Sequence, residues 1–182
     1  AAYPVEGAGI ALDKAVPLAG QVKEGKLSWN APAGKWWVAA ITEDRLYEGT
    51  HAAVSLADKM PYINLLMPEP TKRFLEVTHA RYAERLGDDL GKWFIATFTD
   101  EPSLMSLFMR PMPYKVLPWA SNLPVEFAKR RGYALEPLLP ALVADAGAKG
   151  SKARYDFWLT VGELVAYNFA GQIQEWCRKH GL

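Results

Sequence analysis

A single cysteine, Cys177, is the only thiol among 182 residues. An intramolecular disulfide and any multi-cysteine metal site are therefore excluded. Charge of one sign is lacking too, since 21 basic and 20 acidic side chains leave a formal net charge of +1. A protein that depends on phosphate contacts carries a clear basic excess, so nucleic acid is a poor partner. No charge-free apolar run approaches the roughly 18 residues of a membrane-spanning helix, which argues against a membrane partner. The N-terminal AAYPVEGAGIAL has neither the basic start nor the continuous apolar core of a signal peptide. A removed signal would leave the same sequence, so the compartment stays open, with periplasm and exterior among the alternatives. Gly-rich phosphate loops, HExxH and GxSxG are missing as well.

What is present is the composition of a soluble globular protein, 50% hydrophobic and 23% charged, with ample apolar surface to offset the entropy of ordering. The length corresponds to about one domain, so an architecture of roughly 250 residues would be incomplete in it. Residues 1–34, rich in Gly, Ala and Pro, read as a β and loop segment. It leads into a main body at 35–182. Within it KLSW at 26–29 reads as a short strand, and a turn follows through Pro32 and Gly34. The apolar start of 35–47 (KWWVAAITEDRLY) predicts a strand buried on both faces, ending in the polar loop that holds His51.

A helix is expected over 69–86, started by Pro68, Glu69 and Pro70 and stopped at Gly87. Its stripe would be Leu75, His79, Tyr82 and Leu86. Residues 92–99 (KWFIATFT) are apolar in both alternating sets, which predicts an interior parallel strand. The stretch 103–119 has no sustained period and reads as a long irregular loop, a type that is often functional. Helices are expected from Ser121 or Asn122 to Arg131, over 136–145, and over 152–180. The last has Trp158, Val161, Val165, Phe169, Ile173 and Trp176 as its core stripe and contains Cys177 as a small buried hydrophobe. The basic cluster Lys129, Arg130 and Arg131 suits the negative end of a helix dipole. Strand, helix, strand, excursion and helix together predict βαβ units: an α/β chain forming part of a (β/α)8 TIM barrel with parallel strands.

The chemistry-bearing feature is Asp100-Glu101-Pro102 directly after the second apolar strand. Active sites of parallel α/β folds lie at strand C-terminal ends, and two adjacent carboxylates there are costly unless solvated, paired or used. Glu101, with the longer reach, is the candidate reactive group, and Asp100 would anchor the loop or bind a cation. The bland alternative is an acidic junction paired with Arg110 or a loop amide. His51 in its loop and His79 on its helix are weaker candidates. Trp119, in the loop after the acidic pair, is the tryptophan best placed to stack on a sugar, with packing under the loop as its alternative.

Several segments resemble glycoside hydrolase family 106, typified by α-L-rhamnosidases. Trp29-x-x-Pro32-x-Gly34-x-Trp36 resembles the family's W-x-x-P-x-G-x-W. Tyr62-Ile-Asn-Leu-Leu-Met-Pro-Glu69, with Phe74-Leu-Glu-Val-Thr-His79 after it, is similar to its D-L-L-N-P-E segment and following helix. Phe98-Thr-Asp-Glu-Pro-Ser103 resembles its F-T-D-E-P-S, and Phe127-x-x-Arg130-x-Gly132-Tyr133, Leu139-Pro-Ala-Leu142, Arg154-Tyr-Asp-Phe-Trp158 and Trp176-Cys177 resemble its downstream helices. The resemblance runs from about Trp29 to the C-terminus.

It implies a (β/α)8 barrel that cleaves a terminal sugar, inverting its configuration, with calcium near the sugar hydroxyls. Glu101 and Asp100 become site residues, and His51 and His79 become sugar contacts. Met67 departs from the pattern where relatives often carry a polar residue. Hydrolysis needs two carboxyl groups, roughly 6.5–9.5 Å apart for inversion or about 5–5.5 Å for retention. This chain offers one convincing candidate, and the second is expected from a later strand. The remainder of a barrel, or self-association through exposed strand edges, is the partner this implies beside a carbohydrate. The competing reading is a non-catalytic carbohydrate-binding or scaffold segment with a structural acidic pair.

Overall fold

The computed structural model describes residues 1–44, 62–100, 102–104 and 113–182. Glu101, His51 and Arg110 thus lie outside the described residues. The chain divides into two compact units, Ala1–Glu43 with Pro124–Leu159 and Asp44–Leu123 with Thr160–Leu182.

The first unit holds a three-stranded antiparallel sheet in the order β2-β1-β5, from β1 (Ala2–Glu6), β2 (Gly9–Ile10) and β5 (Trp36–Val38). Tyr3 pairs with Trp37 across the sheet, and their rings lie 5.9 Å apart. A separate hairpin joins β3 (Val22–Lys23) to β4 (Lys26–Leu27). Its two turn residues, Glu24 and Gly25, both have positive φ, the requirement of the tight turn that matches strand twist. The tryptophan motif is a local clamp. Trp36 Nε1 donates to the Pro32 carbonyl at 3.0 Å, and its ring meets that of Trp29 edge-on at 5.1 Å. Gly34, at φ +122°, makes the reversal between them, in a region that side chains rarely adopt.

Helix α3 (Leu123–Arg131) stops at Gly132, as the basic last turn and the glycine predict. The helix expected over 136–145 is instead a 3-10 run, Glu136–Leu142. Pro140 sits inside the run and lacks the amide hydrogen that an α-helix would use there, whereas Pro137 in the first turn is tolerated by either helix. Arg154 Nη1 then donates to the carbonyls of Ala141 at 2.7 Å and Ala144 at 3.2 Å, and Ile10 N donates to the Asp145 carbonyl. These bonds fasten the end of the run to the sheet and to α4 (Gly147–Val165). Ala2, Leu135, Ala141, Ala153 and Phe157 are fully buried in this unit.

In the second unit the helix expected over 69–86 is divided into α1 (Pro68–Val77) and α2 (His79–Leu86). Thr78 makes the break. Its hydroxyl and its backbone amide both donate to the Phe74 carbonyl, at 2.6 and 3.0 Å, a back-bond of the kind that bends helices. Gly87, at φ +50°, ends α2 where the sequence places the stop. Leu65, Leu66, Val161 and Leu164 form the unit's apolar centre.

The long C-terminal helix is present but not uniform. After α4 comes a π-helical segment, Ala166–Gly171, and then α5 (Gln172–Lys179). A wider turn shifts the register of every side chain beyond it, so one stripe with a period of 3.6 cannot run the whole length. The observed buried face of α4 is Ala153, Phe157, Val161 and Leu164, whereas Trp158, expected in the core, is 47% exposed.

Two strand expectations need correction. Residues 36–38 pair antiparallel with β1 rather than lying in a parallel sheet. Residues 92–99 form no strand. Parallel pairing among the described residues is limited to an isolated bridge between Leu90 and Phe94. A strand exists only through ladder partners, and the described residues supply none along 95–100. The side chains consequently stay exposed, Trp93 at 86%, Ile95 at 66% and Phe98 at 88%. The architecture of the described residues is mixed α/β with small antiparallel sheets. Among them no helix is long and apolar enough to cross a membrane.

Candidate functional site

Asp100 lies exposed at the end of the unpaired apolar segment, and Pro102, Ser103 and Leu104 follow beyond Glu101. Two described ties reach this region. Thr97 Oγ1 and Cys177 Sγ lie 3.3 Å apart, so the half-buried cysteine sits against the segment instead of only filling a core. The Ser103 amide donates to the Tyr62 hydroxyl at 3.2 Å.

Tyr62 begins a short run that is held by hydrogen bonds at Asn64, Leu66 and Pro68. Asn64 Oδ1 accepts from the Leu66 amide at 3.1 Å, and Asn64 Nδ2 donates to the Trp119 carbonyl at 3.1 Å. The Leu66 carbonyl accepts twice, from Asn122 Nδ2 at 3.1 Å and from Asn168 Nδ2 at 2.7 Å. The Pro68 carbonyl accepts from Gln172 Nε2 at 3.0 Å. Asn168 belongs to the π-helical segment, and Gln172 begins α5. The segment that resembles D-L-L-N-P-E is thus a strap, its two leucines buried and the carbonyls of Leu66 and Pro68 held by side-chain amides. Sequence reasoning passed over these amides. The available signal was a polar residue inside an apolar run, Asn64 in YINLLM and Asn168 in VAYNFA.

The other candidates fall elsewhere. His79 starts α2 with its Nδ1 2.9 Å from Thr78 Oγ1, and its ring makes edge contacts with Phe74 at 5.2 Å and Trp176 at 5.0 Å. Burial among these rings pushes its pKa below the ordinary histidine value, favouring the neutral imidazole. His180 stacks on Trp176 at 3.9 Å and its Nδ1 lies 2.8 Å from the Trp176 carbonyl. Trp119 is half-buried and fixed through its carbonyl. Among the described residues no hydrogen bond or ring contact joins His79 or Trp119 to Asp100. A depression of about 200 Å³ beside this cluster is lined by Lys72, Leu75, Glu76, Ala80 and Trp176, with neither Asp100 nor Trp119 in its wall. That volume is below the roughly 300 Å³ at which ligand pockets begin.

Among the described residues no three His, Cys, Asp or Glu side chains come together as a metal centre. A cluster of carboxylates for the calcium that the resemblance implies is thus not seen among them. What the arrangement does offer is an exposed carboxylate at the end of an apolar segment, with Ser103 beyond it tied to Tyr62.

Comparison with known proteins places these features in a family context. The sequence profile of glycoside hydrolase family 106, described as alpha-L-rhamnosidase, matches residues 3–182. A Formosa agariphila protein named for a β-glucuronidase is 23% identical over 163 residues, which cover 87% of this chain and 13% of that protein. The solved structure of a rhamnosidase from Novosphingobium sp. PP1Y matches with a TM-score of 0.55 at 18% identity, over 96% of this chain and 16% of that one. The chain thus spans about a sixth or less of the length of each relative.

Proposed function

The chain belongs to glycoside hydrolase family 106, and from that premise we propose that it contributes one side of the active site of a glycosidase. The substrate class is a terminal glycoside, an α-L-rhamnoside first. Glu101 acts as general acid or base, and Asp100 is the neighbouring carboxylate that orients the loop or the sugar. The observation that carries this reading is the exposed Asp100 leading into Glu101 and Pro102, at the end of an apolar segment in a chain matched to the family from residue 3 to residue 182.

Cleavage of a glycosidic bond needs one carboxylic acid to protonate the leaving oxygen and one carboxylate to activate water or attack carbon. Glu101 fills one of these roles, and the second carboxyl group comes from further polypeptide. The exposed Trp93, Ile95 and Phe98 suit the same arrangement. A neighbouring strand supplied by that polypeptide would complete a ladder and cover them, giving a (β/α)8 barrel. Trp119 and His51 remain the sugar-contact candidates. His79, enclosed by Phe74 and Trp176, fits a packing role better.

The test is turnover of p-nitrophenyl α-L-rhamnopyranoside by the complete natural polypeptide carrying this chain. Glu101→Gln should lower kcat by about 10²–10⁴-fold, the usual contribution of a positioned acid or base. Activity within about threefold of wild type would rule out an essential role for this group and favour a carbohydrate-binding or scaffold segment.

A further inference from the structure

The strap from Tyr62 to Pro68 has a free end of one kind only. Leu65 and Leu66 are 2% and 1% exposed, and the carbonyls of Leu66 and Pro68 are each held by side-chain amides. Asn64 ties the strap to Trp119 and also closes on the Leu66 amide. Tyr62 is therefore carried on an anchored base, and its hydroxyl projects to the Ser103 amide. The position of that amide matters. Pro102 has no amide hydrogen, so Ser103 supplies the first backbone donor after Glu101. Upstream, residues 95–100 have no ladder among the described residues to fix their path. Downstream of Asp100, the bond from the Ser103 amide to the Tyr62 hydroxyl is a contact that restrains it.

We propose that Tyr62 is a positioning residue for the acidic segment: its hydroxyl, held by the strap, restrains the backbone at Ser103, just beyond the acidic pair. This rests on the reading of Asp100 and Glu101 as reactive groups. In this role Tyr62 acts on the backbone and is not itself a reacting group. It removes freedom from the backbone that carries the carboxylates, and a displacement of about 1 Å at such a group can cost on the order of 10²-fold in rate.

Two measurements test it. In the complete natural polypeptide acting on p-nitrophenyl α-L-rhamnopyranoside, Tyr62→Phe should lower kcat about 10- to 100-fold and leave KM within about twofold. Tyr155→Phe, which removes the hydroxyl of an exposed tyrosine on α4 outside the strap, should leave kcat within about threefold. Unchanged kcat in Tyr62→Phe, beside an inactive Glu101→Gln, overturns the positioning role and leaves the glycosidase reading standing. Full activity in Glu101→Gln overturns the glycosidase role instead. The tie is then read without turnover, from Ser103 amide hydrogen exchange in this chain. Tyr62→Phe should speed that exchange at least about tenfold while the Leu66 amide keeps its protection. Equal Ser103 exchange in both proteins refutes the tie.

Discussion

Tyr133→Phe removes a single hydroxyl from the first unit and leaves its ring in place. In the wild type that hydroxyl donates to Asp156 Oδ2 at 2.5 Å, on a residue only 7% exposed. Lys152 pairs with the same oxygen, and its ammonium lies 4.8 Å from the Tyr133 ring centroid. A hydrogen bond to a charged group contributes about 1.5–3 kcal/mol. Two observations place the loss toward the lower end. Asp156 keeps Lys152 as a partner, so no carboxylate is stranded, and the ring keeps its edge contact with Phe127 at 5.1 Å. The expected cost at neutral pH is about 1–2 kcal/mol.

The pH dependence separates this bond from a generic packing defect. The Lys152 ammonium first, and the Tyr133 hydroxyl second, hold the Asp156 carboxyl below the usual carboxylate range. Because the folded pKa is depressed, the stabilisation is present above the unfolded value of about 4 and is lost as pH falls through the folded value. Once Asp156 is protonated the hydroxyl no longer meets a charge. The penalty of Tyr133→Phe should therefore shrink on acidification, to at most about half its neutral-pH size. Urea unfolding of both proteins at pH 7, and at the lowest pH where the wild type still unfolds cooperatively, gives the two penalties. Equal penalties at the two pH values, or a neutral-pH penalty below about 0.3 kcal/mol, would refute the charge-assisted bond.

Two further outcomes follow from the corrected helix face and the unpaired segment. Phe157→Ala should destabilise by about 3–5 kcal/mol because the ring is fully buried, whereas Trp158→Ala should cost about 0.5–1.5 kcal/mol, chiefly its edge contact with Phe157 at 5.3 Å. The reverse order in thermal or urea unfolding would restore the face expected from sequence. Replacing Trp93 and Phe98 with Ser should reduce self-association of the isolated chain in light scattering, since both rings are almost wholly exposed. A wild-type chain that is already monomeric at high concentration would show that these rings do not drive association.

The parts of the fold that were legible in sequence are those decided within a few residues. Gly87 and Gly132 end their helices where the pattern places the stops, because a positive φ is a local requirement. The pair Trp29 and Trp36, with Pro32 and Gly34 between them, resembles a family motif and folds as one local clamp. The helix break at Thr78 was overlooked for a reason of the same scale. Apolar periodicity does not register a hydroxyl that bonds back to the carbonyl four residues earlier.

The remainder depended on groups distant in the chain. An apolar run such as 92–99 reads as a strand because its composition suits burial, but pairing is a property of neighbours, and none is described along 95–100. Asp100 and Glu101 were marked by their chemistry. Beyond them the Ser103 amide is tied to a hydroxyl 41 residues earlier, carried on a strap fixed by Asn122, Asn168 and Gln172. By itself the sequence determined the family, the balanced charge, the local stops and the acidic pair, since each is written in adjacent residues. Only the tertiary structure decided which helix face is buried, which strands are antiparallel and which amides secure the strap. Those outcomes depend on hydrogen-bond partners and apolar contacts that come together through folding.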